Sequence, residues 1–184
     1  MRVAAFAAAL ASVLLGCPAE RGPVHMPLTP PCTPHSVVLV RHAEKAPVDP
    51  SEKDPDLSPK GHERAVRLAT LLGKSTPTHL FATSFKRTQQ TLAPLAERSG
   101  KPVEVRDAAR TNDLVRELIN AAPGSISVVA THANVLPKIV QDLGGGALRG
   151  VGADLLLPDE EYSRVIVVSL GCGTSASVVE LSSD

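Results

Sequence analysis

Ser36-Val37-Val38-Leu39-Val40-Arg41-His42 decides the fold of this chain. Four consecutive aliphatic residues, three of them β-branched, read as a short strand buried on both faces. Strands of that kind belong to a parallel sheet covered by helices on either side. The run then stops at an arginine and a histidine. In an open parallel sheet the carboxyl ends of the strands converge on one crevice, and ligands bind there. Arg41 and His42 therefore stand where chemistry is expected.

Downstream the same pattern returns. A Pro/Asp/Lys-rich loop from Ala46 to Leu57 leads to Ser58-Pro59, a helix N-cap followed by proline at the first helical position. Ala65, Leu68, Ala69, Leu71 and Leu72 carry helical spacing up to Gly73. His79 to Thr83 reads as a second strand. Lys86 to Arg98 reads as a second helix ending at Gly100, with Pro94 predicting a kink. Pro102 to Val105 is a third strand. Thr111 to Ala122 is a third helix, with Leu114, Leu118 and Ala121 on one face. Ser125 to Thr131 is a fourth strand and Asn134 to Leu143 a fourth helix, with Asn134 as a candidate N-terminal cap. After a glycine-rich loop from Gly144 to Asp159, Arg164 to Leu170 and Ser177 to Leu181 are two final strands. Alternating strands and helices followed by two strands predict an α/β fold, with a mostly parallel central sheet and helices on both faces. Only Phe81, Phe85 and Tyr162 are aromatic beyond the leader, so Val, Leu, Ile and Ala must build the core.

The N-terminal stretch differs from the rest. Met1-Arg2 is a minimal basic start, and Val3 to Leu15 is almost wholly apolar, too short to span a bilayer as a helix but the length of a signal-peptide core. Leu14-Leu15-Gly16-Cys17 resembles a bacterial lipobox. Residues 1–16 are thus expected to be a lipoprotein signal peptide and Cys17 the lipidated residue. Residues 17–34 are a Pro-rich tether without apolar periodicity. Residues 35–184 form the folded domain. The expected location is the bacterial cell envelope, with attachment to a membrane through lipid on Cys17. Net charge is zero and no basic run appears, so no nucleic-acid partner is expected. Cys32 and Cys172 can pair or remain free thiols in an oxidising compartment.

Arg41 and His42 follow the first strand, Arg87 opens the second helix, and His132 follows the fourth strand. The topology brings all four to one crevice. Phosphoryl transfer asks for such a set. A phosphate dianion is matched by guanidinium forks, and a neutral imidazole is a competent nucleophile. The two arginines disfavour the imidazolium and keep His42 neutral. They would also repel a metal cation. His25, His35, His62 and His79 have no partner at metal-ligand spacing, so no metal is expected. Gly144-Gly145-Gly146 precedes no Gly-Lys-Ser/Thr and is not a phosphate loop.

Four segments carry a family resemblance. Val40-Arg41-His42-Ala43-Glu44 resembles the Arg-His-Gly motif of the histidine phosphatase (phosphoglycerate mutase-like) superfamily, with alanine for glycine. Leu57-Ser58-Pro59-Lys60-Gly61 with Arg64-Ala65 resembles its Leu-Thr/Ser-x-x-Gly-x-x-Gln/Arg-Ala segment. Thr83-Ser84-Phe85-Lys86-Arg87-Thr88-Gln89-Gln90-Thr91 is similar to its Ser-x-x-x-Arg-x-x-Gln-Thr segment. Thr131-His132-Ala133-Asn134 resembles the region of its second histidine. The resemblance implies a phosphoglycerate mutase-like sheet whose last strands include an antiparallel one. It implies that His42 attacks phosphorus, that Arg41, Arg87 and His132 hold the phosphoryl oxygens, and that water hydrolyses the phosphohistidine. A cofactor-free monomer acting on a phosphorylated small molecule or phospho-amino acid follows. The glutamate that many members use to protonate the leaving oxygen is not evident in Arg106 to Asp113. Asp107 or Glu44 could replace it, or the acid is missing. Glu44 could equally orient site groups or pair with Lys45 or Arg64. The resemblance also sets the first strand antiparallel to the fifth, which would bring Cys32 and Cys172 to one sheet edge as a candidate disulfide. The rival from another class is a non-catalytic envelope lipoprotein that binds a phosphorylated ligand in the same pocket.

Overall fold

The structure, a computed structural model, describes residues 33–47, 49, 51–171 and 176–184. The leader, Cys17, most of the tether and both Cys32 and Cys172 lie outside these residues. In chain order the elements are β1 (His35–Arg41), α1 (Pro59–Leu72), β2 (His79–Thr83), α2 (Lys86–Ser99), β3 (Val103–Arg106), a 3-10 turn (Ala108–Arg110), α3 (Thr111–Ile119), β4 (Ile126–Thr131), α4 (Leu136–Asp142), β5 (Arg164–Leu170) and β6 (Ser177–Ser182). The strands form one sheet in the order β3-β2-β4-β1-β5-β6. β1 runs parallel to β4, β4 to β2, and β2 to β3. β5 runs antiparallel to β1, pairing His35 with Leu170, and β6 antiparallel to β5. The sheet is thus the expected mixed one, mostly parallel with the reversal at its end.

Period-two alternation along β1 explains the two cores. Val37 and Leu39 point to one side and join Leu114, Leu118, Leu136 and Ile139 from α3 and α4. Val38 and Val40 point to the other and join Leu68, Leu72, Leu92 and Leu95 from α1 and α2. Helices therefore cover both faces of the central strands, as the unbroken aliphatic run requires. Among the described residues no helix is long and apolar enough to cross a membrane.

Two helix boundaries differ from the sequence reading by two residues or more. α3 stops at Ile119 rather than Ala122, because the Asn120 N–H and side-chain amide both donate to the Arg116 carbonyl. Pro123 also biases Ala122 away from helical geometry. α4 begins at Leu136, and its cap position is Val135, so Asn134 is not the cap. The chain turns first, with the Val135 and Leu136 amides both donating to the His132 carbonyl. The 3-10 turn was not legible; Asp107 nucleates it by accepting a hydrogen bond from the Ala109 amide. α2 runs uninterrupted through Pro94.

Candidate active site

His42 is fixed by the strand that delivers it. Its amide donates to the Thr131 carbonyl at 2.9 Å, extending the β1–β4 ladder by one residue and setting His42 beside His132. The two rings are 5.5 Å apart, edge to face. Nδ1 of His42 lies 2.8 Å from the Ala43 carbonyl oxygen. A carbonyl only accepts, so Nδ1 carries the proton and Nε2 keeps its lone pair. Ala43 is held in turn: its amide donates to Thr91 Oγ1 at 2.9 Å, and that hydroxyl donates to the Arg87 carbonyl at 2.7 Å. Thr91 thereby ties the histidine's loop to the helix that carries Arg87. Burial pushes the His42 pKa down to about 4, helped by Arg87, His132 and Arg41 and opposed by the Ala43 hydrogen bond.

Arg87 and His132 face His42 across a crevice of about 520 Å³, also lined by Phe85, Ala108, Ala109, Ala133, Asn134 and Val135. The Arg87 guanidinium stacks over Phe85, 4.3 Å from its centroid. Its Nε is buried and has no hydrogen-bond partner among the described residues. Burial lowers the Arg87 pKa, partly offset by Asp54, whose Oδ1 is 3.6 Å from Nη1. The edge of Phe85 also meets the His132 ring, 5.1 Å between centroids. His132 Nε2 lies 3.1 Å from Thr83 Oγ1. Its pKa is lowered to about 4 by burial, then by Arg87 and Arg41, against an opposing effect of Asp54. Both imidazoles are neutral at physiological pH, while both arginines supply charge.

The other expected residues separate. Arg41 does not line the crevice: Nη1 donates to the carbonyls of Pro158, Asp159 and Glu161 at 2.9, 2.9 and 3.2 Å, and Nη2 to the Tyr162 hydroxyl at 3.3 Å. Its guanidinium also stacks on Tyr162, 4.1 Å from the centroid, while its Nε is buried without a protein partner. Arg41 thus anchors the 158–162 segment and lends charge to the histidines. Glu44 is bound on both oxygens by Arg64, at 3.0 and 2.9 Å. Burial would raise its pKa, but Arg64 holds it at about 2, which leaves no proton to donate near neutrality. It pairs with Arg64 and Lys60, not with Lys45. Asp107 caps the 3-10 turn and is not among the crevice-lining residues.

Gly61 explains the tight join between this loop and α1. A Cβ there would sit 2.1 Å from the Glu44 carbonyl oxygen. That carbonyl accepts from the Ser58 amide and hydroxyl at 2.9 and 3.2 Å, while Ser58 Oγ accepts from the Gly61 amide. Sequence reasoning missed Phe85, Tyr162, Thr91 and Asp54. Phe85 and Thr91 stand inside the quoted Arg87 segment, so their place was visible though their roles were not. Tyr162 closes a loop without periodicity, and only its rarity as an aromatic marked it.

The geometry agrees with what the chain is similar to. The sequence model of the histidine phosphatase superfamily (branch 1) matches residues 37–110, which hold His42 and Arg87 but stop short of His132. The match spans less than half of the chain. Among solved structures, a mycobacterial glucosyl-3-phosphoglycerate phosphatase superposes with a TM-score of 0.62 at 19% identity, covering 80% of this chain and 97% of that one. A mycobacterial protein described as hydrolase 2 gives 0.63 at 18% identity, covering 80% and 89%. A putative phosphohistidine phosphatase SixA from Agrobacterium tumefaciens gives 0.56 at 23% identity, covering 78% and 97%. At these identities the likeness is one of fold. No curated protein matches the chain.

Proposed function

We propose that this chain is a phosphatase that hydrolyses a phosphomonoester or phosphoramidate through a phosphohistidine on His42. The observation that carries the reading is the His42 ring. Its proton is held at Nδ1 by the Ala43 carbonyl, and its Nε2 lone pair stands next to His132 and an arginine with a buried, unpartnered N–H. In the first step the Nε2 lone pair attacks phosphorus. The bond to the leaving oxygen or nitrogen breaks, and the leaving atom departs with that electron pair and takes a proton from solvent water. In the second step water attacks phosphorus and gives up a proton to solvent, the P–N bond breaks, and its electron pair returns to Nε2. Arg87 binds the equatorial oxygens, and His132, whose Nε2–H is turned to Thr83, does so only as the imidazolium, donating from Nδ1. Glu44 is held ionised by Arg64 and Asp107 stands off the crevice, so neither supplies the leaving-group proton.

The test is direct. Wild-type protein mixed with p-nitrophenyl phosphate without added metal should release phosphate and accumulate an acid-labile phosphoenzyme on His42. His42→Ala should do neither while keeping the wild-type melting profile. Activity retained in that variant would remove His42 from the mechanism. The leader reading adds a location: the domain acts in the cell envelope, tethered by lipid on Cys17. Incorporation of a palmitate analogue into wild type but not into Cys17→Ser is the expected result.

A further inference from the structure

The crevice has two halves of opposite character. One half holds His42, His132 and Arg87, which match a phosphoryl group. The other is walled by Phe85, Ala108, Ala109, Ala133, Asn134 and Val135 and holds no charge. Two guanidinium groups on the neighbouring elements are already occupied, while Lys86 at the start of α2 is exposed to solvent. Arg106 is held by Glu104 and Glu117 at 2.8 and 2.7 Å, and Arg110 by Asp113. The charge paired with Arg87 is negative. Asp54 Oδ1 accepts from the Lys86 amide at 3.0 Å, which fixes it at the start of α2, 3.6 Å from Arg87 Nη1. The segment bearing it is docked on the same helix, since Gln90 donates to Asp56 at 2.8 Å and accepts from the Leu57 amide at 2.9 Å.

A phosphate dianion entering the first half finds its charge matched. A second anionic group on the same molecule would meet alanines and a phenyl ring on one side and a fixed carboxylate on the other. Desolvating such a group with no cation among the residues that line this half is costly, and like charges add to the penalty. Discrimination built this way needs a repulsive element as well as an attractive one. On the phosphatase reading above, we propose that the site takes phosphoryl groups borne on uncharged or cationic leaving groups that are partly apolar or aromatic, and that Asp54 rejects those carrying a further carboxylate or phosphate.

Three aryl phosphates test this: 4-(aminomethyl)phenyl, 4-(hydroxymethyl)phenyl and 4-(carboxymethyl)phenyl phosphate. The methylene insulates the ring, so their leaving-group acidities stay close while the remote charge changes sign. In wild type at low salt, kcat/KM should fall in that order, with the amine roughly tenfold above the carboxylate. The difference should appear mainly in KM. Asp54→Asn should shrink the ratio to about threefold or less. Added salt should shrink it in wild type as well, because the screening length falls from about 30 Å at 0.01 M to about 8 Å at 0.15 M. A carboxymethyl substrate hydrolysed as well as the aminomethyl one overturns the proposal, and so does a ratio untouched by both salt and Asp54→Asn. Phosphate released from none of the three, nor from p-nitrophenyl phosphate, overturns the phosphatase reading itself.

Discussion

Arg64 and Arg87 are both arginines beside the loops that deliver His42, and they differ in what they hold. Arg64 is saturated: it donates to both oxygens of Glu44, to Ser183 and to Asp184. Its hydrogen bonds to Glu44 and Asp184 outweigh burial, and its pKa is raised. Arg87 rests on a phenyl face, keeps a buried Nε without a protein partner, and has its pKa lowered by burial. Burying an unsatisfied donor costs free energy that a saturated ion pair avoids. A protein retains such a group where a ligand completes it. Saturation thus separates Arg64 from Arg87, whereas Arg41 combines an unpartnered Nε with Nη1 bonds that anchor the 158–161 segment.

The largest effect that could break this contrast is at Arg87. Arg87→Ala should lower turnover by roughly two to three orders of magnitude and weaken vanadate inhibition, with little change in melting temperature. Lysine should rescue only partly, since it keeps the charge and loses the fork. Steady-state kinetics and vanadate titration check this. If vanadate binds both variants as it binds wild type, Arg87 is not a ligand to the phosphoryl group. Arg64→Ala should invert the pattern. It strands Glu44 and should cost about 2–3 kcal/mol of stability in a denaturant melt. Turnover of the fraction still folded should fall much less than in Arg87→Ala. Gly61→Ala belongs on the Arg64 side, since its Cβ would drive into the Glu44 carbonyl at 2.1 Å.

The reason this contrast was only half legible in the sequence is physical. β1 and β4 were readable because an aliphatic run bounded by turn residues has few other uses. With them came the convergence of His42, Arg87 and His132, because strand ends in a parallel sheet share one edge. What could not be read is how each charged group is satisfied. The segment around Glu44 left three roles open. Only the position of Arg64, nearly two α1 turns beyond Ser58 and buried, decides that the Glu44 carboxylate is an anchor. Arg41 was expected on phosphate by proximity to His42. Its N–H groups go instead to carbonyls of the 158–161 segment, which has no periodicity to announce where it lies. The wall formed by Ala108 and Ala109 depends on a 3-10 turn too short to leave a pattern.

Acid unfolding sharpens the contrast, because the two regions titrate in different windows. His42 and His132 have folded pKa values of about 4 against an ordinary 6.5. Between those values the unfolded chain binds more protons, so stability is fully present above about pH 6.5 and is lost as pH falls toward 4. Glu44, at about 2 in the folded state against 4.5, contributes stability that is present above 4.5 and lost as pH falls through 2. Replacing either histidine by glutamine should flatten the upper window of a pH-dependent melt. Arg64→Ala should flatten the lower one and leave the upper in place. A single histidine shift of this size corresponds to at most on the order of 3 kcal/mol, and coupling between the two rings reduces the sum. If neither histidine variant alters the pH 4–6.5 slope, the crevice does not hold its histidines neutral.

The smallest expected effect concerns how His132 is oriented. Thr88 Oγ1 lies 3.1 Å from the Thr83 carbonyl and 2.7 Å from that of Phe85. Those oxygens only accept, so the Thr88 hydroxyl proton goes to one of them. The 2.8 Å contact between the two threonine hydroxyls must then be Thr83 donating to Thr88. Thr83 has one proton, so toward His132 Nε2, 3.1 Å away, its oxygen accepts. The neutral His132 therefore carries its proton on Nε2, and Nδ1 is the nitrogen that titrates. Thr83→Val keeps the shape and removes the acceptor. It should cost about 1–2 kcal/mol of stability, as a buried N–H loses its partner. Turnover should drop only several-fold, because Phe85 still packs against the ring. Nitrogen-15 NMR of the histidine side chains reads the tautomer directly. A wild-type spectrum with the proton on Nδ1, or a Thr83→Val variant with an unchanged tautomer and rate, would show that this threonine pair does not orient the second histidine.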